Sequence, residues 1–148
     1  MNVQIRFSCP PRDLDYSSKE KLPWRLQPDI AGGGYFYDLA PHQLDLMQDL
    51  FGVITEAEGI CANRAGLYQT EDSISACFRF ESGVPGSGSW CFVGHQSAKE
   101  DRIDIVGSKG KLSFSVYNYD PIHLVTNDDE KYITVENPPY VQLPIIKA

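Results

Sequence analysis

Residues 32–52 read GGGYFYDLAPHQLDLMQDLFG. At about 100° per residue, Leu39, Leu44, Leu46, Met47, Leu50 and Phe51 fall on one side of a helical wheel. This pattern predicts one amphipathic helix ending near Phe51, with Gly52 as its C-terminal stop. Pro41 is comfortable only in a first turn or at a kink, so the start of the helix stays open. With His42 set at zero on the wheel, Asp38, Asp45 and Asp49 lie within about 60° of it, opposite the apolar stripe.

Upstream, Asn2 to Ser8 alternates Val3, Ile5 and Phe7 with polar residues, the period of a half-buried strand. From Cys9 to Gly33 the regularity stops, and Pro10, Pro11, Pro23 and Pro28 interrupt a segment holding Asp13, Asp15, Lys19 and Arg25. It reads as one long loop, and long ordered loops are often functional. Downstream the period turns to two. Ile54 to Asn63 and Ser73 to Glu81 read as strands, and Trp90 to Gly94 pairs back across a Ser82 to Ser89 turn. Arg102–Val106 with Lys111–Val116, and His123–Thr126 with Lys131–Glu136, read as two further hairpins. The expected fold is α+β in a single domain over 1–148, an open-faced, mainly antiparallel sheet of about six strands with one helix on one face. Phe78, Phe80, Trp90 and Phe92 share a parity and hence a common face, but the sequence leaves open which face meets the helix.

The bulk properties narrow the classes. A chain of 148 residues with 42% hydrophobic and 22% charged residues has the composition of a soluble globular domain able to bury a real core. A formal net charge of -7, with no clustered basic patch, disfavours nucleic acid as a partner. No apolar stretch approaches the roughly 20 residues that span a bilayer, and the N-terminus has no signal-peptide pattern. A membrane partner is therefore not expected; a cytoplasmic location is, with export of a longer protein left open. Cys9, Cys61, Cys77 and Cys91 have neither C-x-x-C nor zinc-ligand spacing, so free thiols are expected, with Cys77 and Cys91 as small buried hydrophobes.

Asp38 and His42 form the best catalytic candidate. An Asp one turn before a His can accept an imidazole N–H, which fixes the tautomer and raises the basicity of the ring. Any amphipathic helix also has a solvated polar face, and a metal site from Asp38, His42 and Asp45 is a third reading that lacks a second His or Cys. The Gly32-Gly33-Gly34 run suits positive φ or close approach of a ligand, although it matches neither nucleotide-binding glycine motif. Trp24-Arg25 offers an aromatic plane and a guanidinium for a hydroxylated or anionic ligand, or else a loop anchored by a buried Trp. His95 and His123 read as surface or core residues and not as ligands.

Taken together, Trp24-Arg25, Gly32-Gly33-Gly34, the run DLAPHQLDL from Asp38 and Leu50-Phe51-Gly52 resemble the signature of the C-terminal domain in the Gfo/Idh/MocA oxidoreductases. Ile105 to Leu112 is similar to that family's Gly-Thr/Ser-Lys-Gly hairpin, and Glu81-Ser82-Gly83 to its strand-ending turn. The resemblance implies a two-domain enzyme in which a Rossmann domain binds NAD or NADP and this half carries substrate residues and the oligomer contact. It implies His42 as proton acceptor beside Asp38, with Trp24, Arg25, Gly33 and Gly34 at the substrate, a sugar, inositol or related polyol. It assigns no cofactor-binding residue and no metal to this chain, and the fragment alone is expected to be inactive and cofactor-free. The family's Glu-Lys-Pro lysine has no match, since Glu20-Lys21-Leu22 lies in the wrong place. Ala40 replaces a common Gly, and the end at Pro139 to Leu143 falls short of the family's closing helices, so both ends read as trimmed. A homo-oligomer through the open sheet face is the implied assembly.

Two other functions stay in competition. A non-catalytic ligand-binding or oligomerisation module could use the same scaffold, because function resides in the site. A metal-assisted hydrolase could use the Asp/His/Asp stripe.

Overall fold

The computed structural model describes residues 1–16 and 22–136. Lys19, Glu20-Lys21 and the terminal run Pro139 to Leu143 lie outside the described residues. Alternating segments pair into one eight-stranded sheet: β1 (Asn2–Ser8), β2 (Ile54–Ala62), β3 (Ser73–Phe80), β4 (Pro85–Cys91), β5 (Glu100–Gly107), β6 (Gly110–Phe114), β7 (Ile122–Thr126) and β8 (Glu130–Ile133). Their spatial order is β2-β3-β4-β1-β5-β6-β7-β8. All neighbours run antiparallel except β1 and β4, which pair in parallel with Phe7 opposite Trp90. The α+β architecture expected from the sequence is the one observed, and among the described residues its eight strands, against the six or so expected, fall one on each of the eight segments read as strands.

The main change of bounds is in β4. The run from Ser82 to Ser89 reads as a turn because it is rich in Gly, Pro and Ser, yet the strand already begins at Pro85. Its glycines have a packing reason. A Cβ on Gly86 would lie 2.2 Å from the Phe78 ring, and one on Gly88 would lie 2.0 Å from the Trp90 ring. The two aromatic rings occupy the space that side chains on β4 would take, so glycine here is strand material. The turn itself is short, with Gly83 at φ 81.

The same parity settles which face is covered. Phe78, Phe80, Trp90 and Phe92 are buried with Val3, Ile5 and Ile103 beneath α2 (Tyr35–Phe51). Burying each large side chain contributes about 1.5–3 kcal/mol. The other parity, with Ser75, Cys77, Arg79, Ser87 and Ser89, is exposed. Cys77 is thus not the buried hydrophobe expected; it falls on the outward parity of β3, and Cys61 is exposed too. All four cysteines are free.

The helix differs from its wheel in one respect. Leu46 and Leu50 are exposed, while the buried face runs through Tyr35, Ala40, Gln43 and Met47, with Phe36, Leu44 and Phe51 packed beside them. The true stripe is rotated toward Ala40 and Gln43 because the sheet lies under that side. Pro41 stands inside the helix in its second turn. It supplies no N–H to the Tyr37 carbonyl, so the helical ladder is interrupted beside Asp38. Upstream, the expected featureless loop contains turns of 3₁₀ helix at Asp13–Tyr16 and Trp24–Leu26 and a short helix α1 (Pro28–Ala31). Leu22 and Leu26 anchor it in the core, and Trp24 does not, being 51% exposed.

Candidate functional site

The loop and the first half of α2 meet at Asp38. Arg25 Nε donates to Asp38 Oδ2 at 2.6 Å, and the Arg25 guanidinium lies 4.5 Å over the Trp24 ring. Trp24, Arg25 and Asp38 therefore form one stacked and ion-paired group. His42 lies one turn further along the same face and is exposed. No hydrogen bond joins Asp38 to His42; the carboxylate is held from the loop side. A second clasp ties the loop to the helix start, where the Tyr35 hydroxyl donates to buried Asp15 at 2.6 Å.

Gly32, Gly33 and Gly34 each serve the local geometry. Gly32 ends α1 in the left-handed region at φ 77, where glycine carries no steric cost. A Cβ on Gly33 would lie 2.3 Å from the Tyr37 ring, and one on Gly34 2.4 Å from Thr70 Oγ1. Protein atoms fill this space. A nicotinamide dinucleotide needs a cradle of backbone N–H groups for its pyrophosphate, and this glycine run before a helix does not provide one. The glycine run does not fit that part of the cofactor.

Sequence reasoning missed Tyr117 beside His42 and two buried residues, Asp101 and Gln43, that hold the loop carrying it. Tyr117 stands perpendicular to it, with ring centroids 6.3 Å apart and an interplanar angle of 87°. The Tyr117 hydroxyl donates to the Leu39 carbonyl, on the turn between Asp38 and His42. Burial first, then the charges of Asp101 and Asp38, push this phenol up to about 12. Asp101 Oδ2 accepts from the backbone N–H of Val116 at 2.9 Å and of Tyr117 at 2.6 Å, and Asp101 Oδ1 accepts from Gln43 Nε2 at 3.2 Å. Gln43 Oε1 in turn accepts from Trp90 Nε1 at 2.8 Å. A signal for two of them lay in the pattern. Gln43 is polar on the buried side of α2, and Asp101 shares the parity of Ile103 and Ile105.

The other titratable candidates have local roles. His95 Nδ1 accepts from the Ser97 N–H at the start of a 3₁₀ turn. His123 stacks on Tyr132 at 4.4 Å and pairs with Glu130 at 2.8 Å. Asp45 and Asp49 are exposed on α2. Among the described residues no three His, Cys, Asp or Glu side chains stand together as a metal cage, and no helix is long and apolar enough to cross a membrane.

Comparison with known proteins assigns the class. Residues 1–113 match the family described as GFO/IDH/MocA C-terminal domain, and the chain belongs to that family. Oxidoreductase P35 from Formosa agariphila is 36% identical over 146 residues, which span 98% of this chain and 43% of that protein. An oxidoreductase domain protein from Kribbella flavida is 25% identical with a TM-score of 0.69, over 95% of this chain and 43% of that one. Levoglucosan dehydrogenase in complex with NADH and L-sorbose superposes with a TM-score of 0.74 at 22% identity, over 94% of this chain and 40% of its own. The chain thus spans about two fifths of the length of the proteins it matches.

Proposed function

We propose that this chain is the substrate-binding half of an NAD- or NADP-dependent oxidoreductase acting on a sugar, inositol or related polyol. The observation that carries the reading is the grouping of Trp24, Arg25, Asp38 and His42 on one exposed side of the loop–helix junction, within a family of oxidoreductase domains. Dehydrogenating a carbinol removes a proton from oxygen and a hydride from carbon, and these residues address the proton. His42 is the general base, an imidazole exposed enough to meet a substrate hydroxyl. Asp38, fixed by Arg25, supports the cation that forms on His42 and accepts hydrogen bonds from neighbouring hydroxyls. Trp24 offers a plane on which the apolar face of a pyranose can lie. Gly33 and Gly34 contribute by bringing the loop tightly onto the helix start. The cofactor is held by a Rossmann domain of the whole protein, and two copies pair through the open sheet face.

The test uses the full-length protein with NAD⁺ and NADP⁺ against a panel of pyranoses and inositols. His42→Ala is expected to lower kcat by roughly 10²-fold or more with little change in cofactor KM, and Asp38→Asn to slow turnover as well. Near-native turnover of both variants on the best panel substrate would leave the module reading, in which Asp38 and His42 are helix surface. The same protein stripped of cofactor and substrate should keep its fold.

A further inference from the structure

The loop over residues 115–121 lies far from α2 in sequence, yet it is built against it. Its backbone is pinned by one buried carboxylate: Asp101 accepts from the N–H groups of Val116, Tyr117 and Asn118 at 2.9, 2.6 and 3.3 Å. Beyond that point Tyr119 sits at φ 55, in the left-handed region that costs a bulky residue of order 1 kcal/mol or more. Such a conformation persists only where the surroundings over-determine it. Here Asp101 does so, together with the Ser115 hydroxyl, which accepts from the Asp120 N–H at 3.0 Å.

The product of this construction is the placement of one ring. Tyr117 packs between Phe7, at 5.7 Å and 76°, and His42, at 6.3 Å and 87°. Its hydroxyl reaches the Leu39 carbonyl, in the stretch of α2 that Pro41 weakens. Asp101 is itself held from the next residue of that helix, Gln43, whose amide has no freedom to flip. Trp90 Nε1 can only donate, so Gln43 must present oxygen to it and nitrogen to Asp101. Donation therefore runs from Trp90 through Gln43 to Asp101, and from the loop N–H groups back to the same carboxylate, which accepts from both sides. Gln43 and Asp101 are both buried, where a mismatched pair costs about 1–3 kcal/mol.

We propose that Tyr117 is a positioning residue for His42, and that the buried Trp90–Gln43–Asp101 relay exists to hold it there. The inference rests on the reading of His42 as general base, and it adds what restrains that base. His42 is exposed, and no hydrogen bond to Asp38 fixes its ring. The perpendicular face of Tyr117 limits its rotation, and the Tyr117–Leu39 bond keeps the backbone between Asp38 and His42 at a constant distance from the ring. Asp101 and Gln43 act through Tyr117 and touch no reacting atom.

Two readouts on the full-length protein test this separately. The first is NMR of the His42 imidazole, whose carbon-bound protons carry a ring-current shift from Tyr117. That shift should be lost in Tyr117→Leu, largely retained in Tyr117→Phe, and lost in Asp101→Asn. The double variant Gln43→Glu with Asp101→Asn should restore it, because the Asn amide then donates to the new carboxylate and its carbonyl accepts from the loop. The second readout is turnover of the fastest panel sugar or polyol. Tyr117→Leu and Asp101→Asn should each lower kcat about 10-fold or more at unchanged cofactor KM, with recovery in the double variant. If His42→Ala abolishes turnover while Tyr117→Leu keeps kcat, the positioning role is overturned and the general base stands. If His42→Ala is harmless, the general-base reading fails, and the positioning role falls with it whatever the ring-current shifts report.

Discussion

Arg25 Nε donates to Asp38 Oδ2 at 2.6 Å, so the carboxylate one turn ahead of His42 is gripped by the loop and not by the imidazole. Both side chains remain partly open to solvent, and such a pair contributes only about 0–1 kcal/mol to stability. Its value is geometric, because it sets where the negative charge stands relative to His42 and where the Trp24 plane lies. Arg25→Gln should therefore leave the denaturant midpoint almost unchanged while lowering kcat/KM about 10-fold for a neutral sugar. A matching loss of stability would mean that Arg25 serves the fold instead.

The glycines before α2 separate by what covers them. Tyr37, which lies over Gly33, is exposed and can swing outward, whereas Thr70, which lies over Gly34, is buried. Gly34→Ala should cost about 1–3 kcal/mol through overpacking, and Gly33→Ala much less. In a chain of this length each kcal/mol lowers Tm by roughly 2–4 °C. Thermal unfolding of the two variants side by side checks the order, and a larger loss for Gly33→Ala would contradict it.

Asp104 should contribute stability that acid removes. Burial raises its pKa, but hydrogen bonds from Ser113, Arg6, Lys111 and Arg102 outweigh burial and hold the carboxyl well below the usual range. A lowered folded-state pKa adds stability that is complete above the unfolded value, near 4, and is lost as pH falls below it. Asp104→Asn should be less stable than the parent at neutral pH, and the gap should shrink on acidification below about pH 4. A gap that stays constant down to pH 2, as read by chemical denaturation, would remove Asp104 from this role.

Much of this was legible in the sequence, and the failures share a cause. Strand parity placed Phe78, Phe80, Trp90 and Phe92 together, and the helix and its Asp38/His42 face follow from a local period. What could not be read is whatever depends on a residue distant in the chain. Gly86 and Gly88 read as turn because the rings of Phe78 and Trp90 that replace their side chains are invisible to local composition. Leu46 and Leu50 read as core because the wheel does not know where the sheet lies. Asp101 and Tyr117 joined the candidate site only once β5 and the loop after β6 were laid beside α2. Arg25 was legible as a ligand group, but its grip on Asp38 was not, since the two lie 13 positions apart with a short helix and a glycine turn between them.

Tyr117 should mark the alkaline side of stability. Its folded-state pKa is raised, so the stability linked to its neutral phenol is complete below the unfolded value, near 10, and is lost as pH rises through about 12. Tyr117→Phe removes the bond to the Leu39 carbonyl, worth about 0.5–1.5 kcal/mol. The variant should be less stable than the parent at pH 8, and the two should converge as pH approaches 12. Parallel curves through that range would show that the hydroxyl is not the group that titrates.

The proposed assembly would use the face that α2 leaves open. Among the described residues no helix covers the parity that carries Arg6, Arg79, Arg102, Asp104 and Lys111, and this face is polar, with Ile60, 79% exposed, near one edge. Ile60 pairs with Ser75 and Glu58 with Cys77, so Glu56, Glu58 and Ile60 lie on the same outward face as the central cations. A two-fold axis repeats every contact, and a face with an acidic margin and a basic centre can be self-complementary if the margin of one copy meets the centre of the other. The contact should bury at least about 1,000 Å² in total. It should also weaken at 1 M salt, where the screening length falls to about 3 Å. Light scattering over a dilution series is expected to report a homodimer that dissociates at high salt. Ile60→Lys should weaken it, while Asp45→Lys, on the outer side of α2, should not. A monomer at every concentration, or a dimer indifferent to Ile60→Lys, would place the oligomer contact elsewhere.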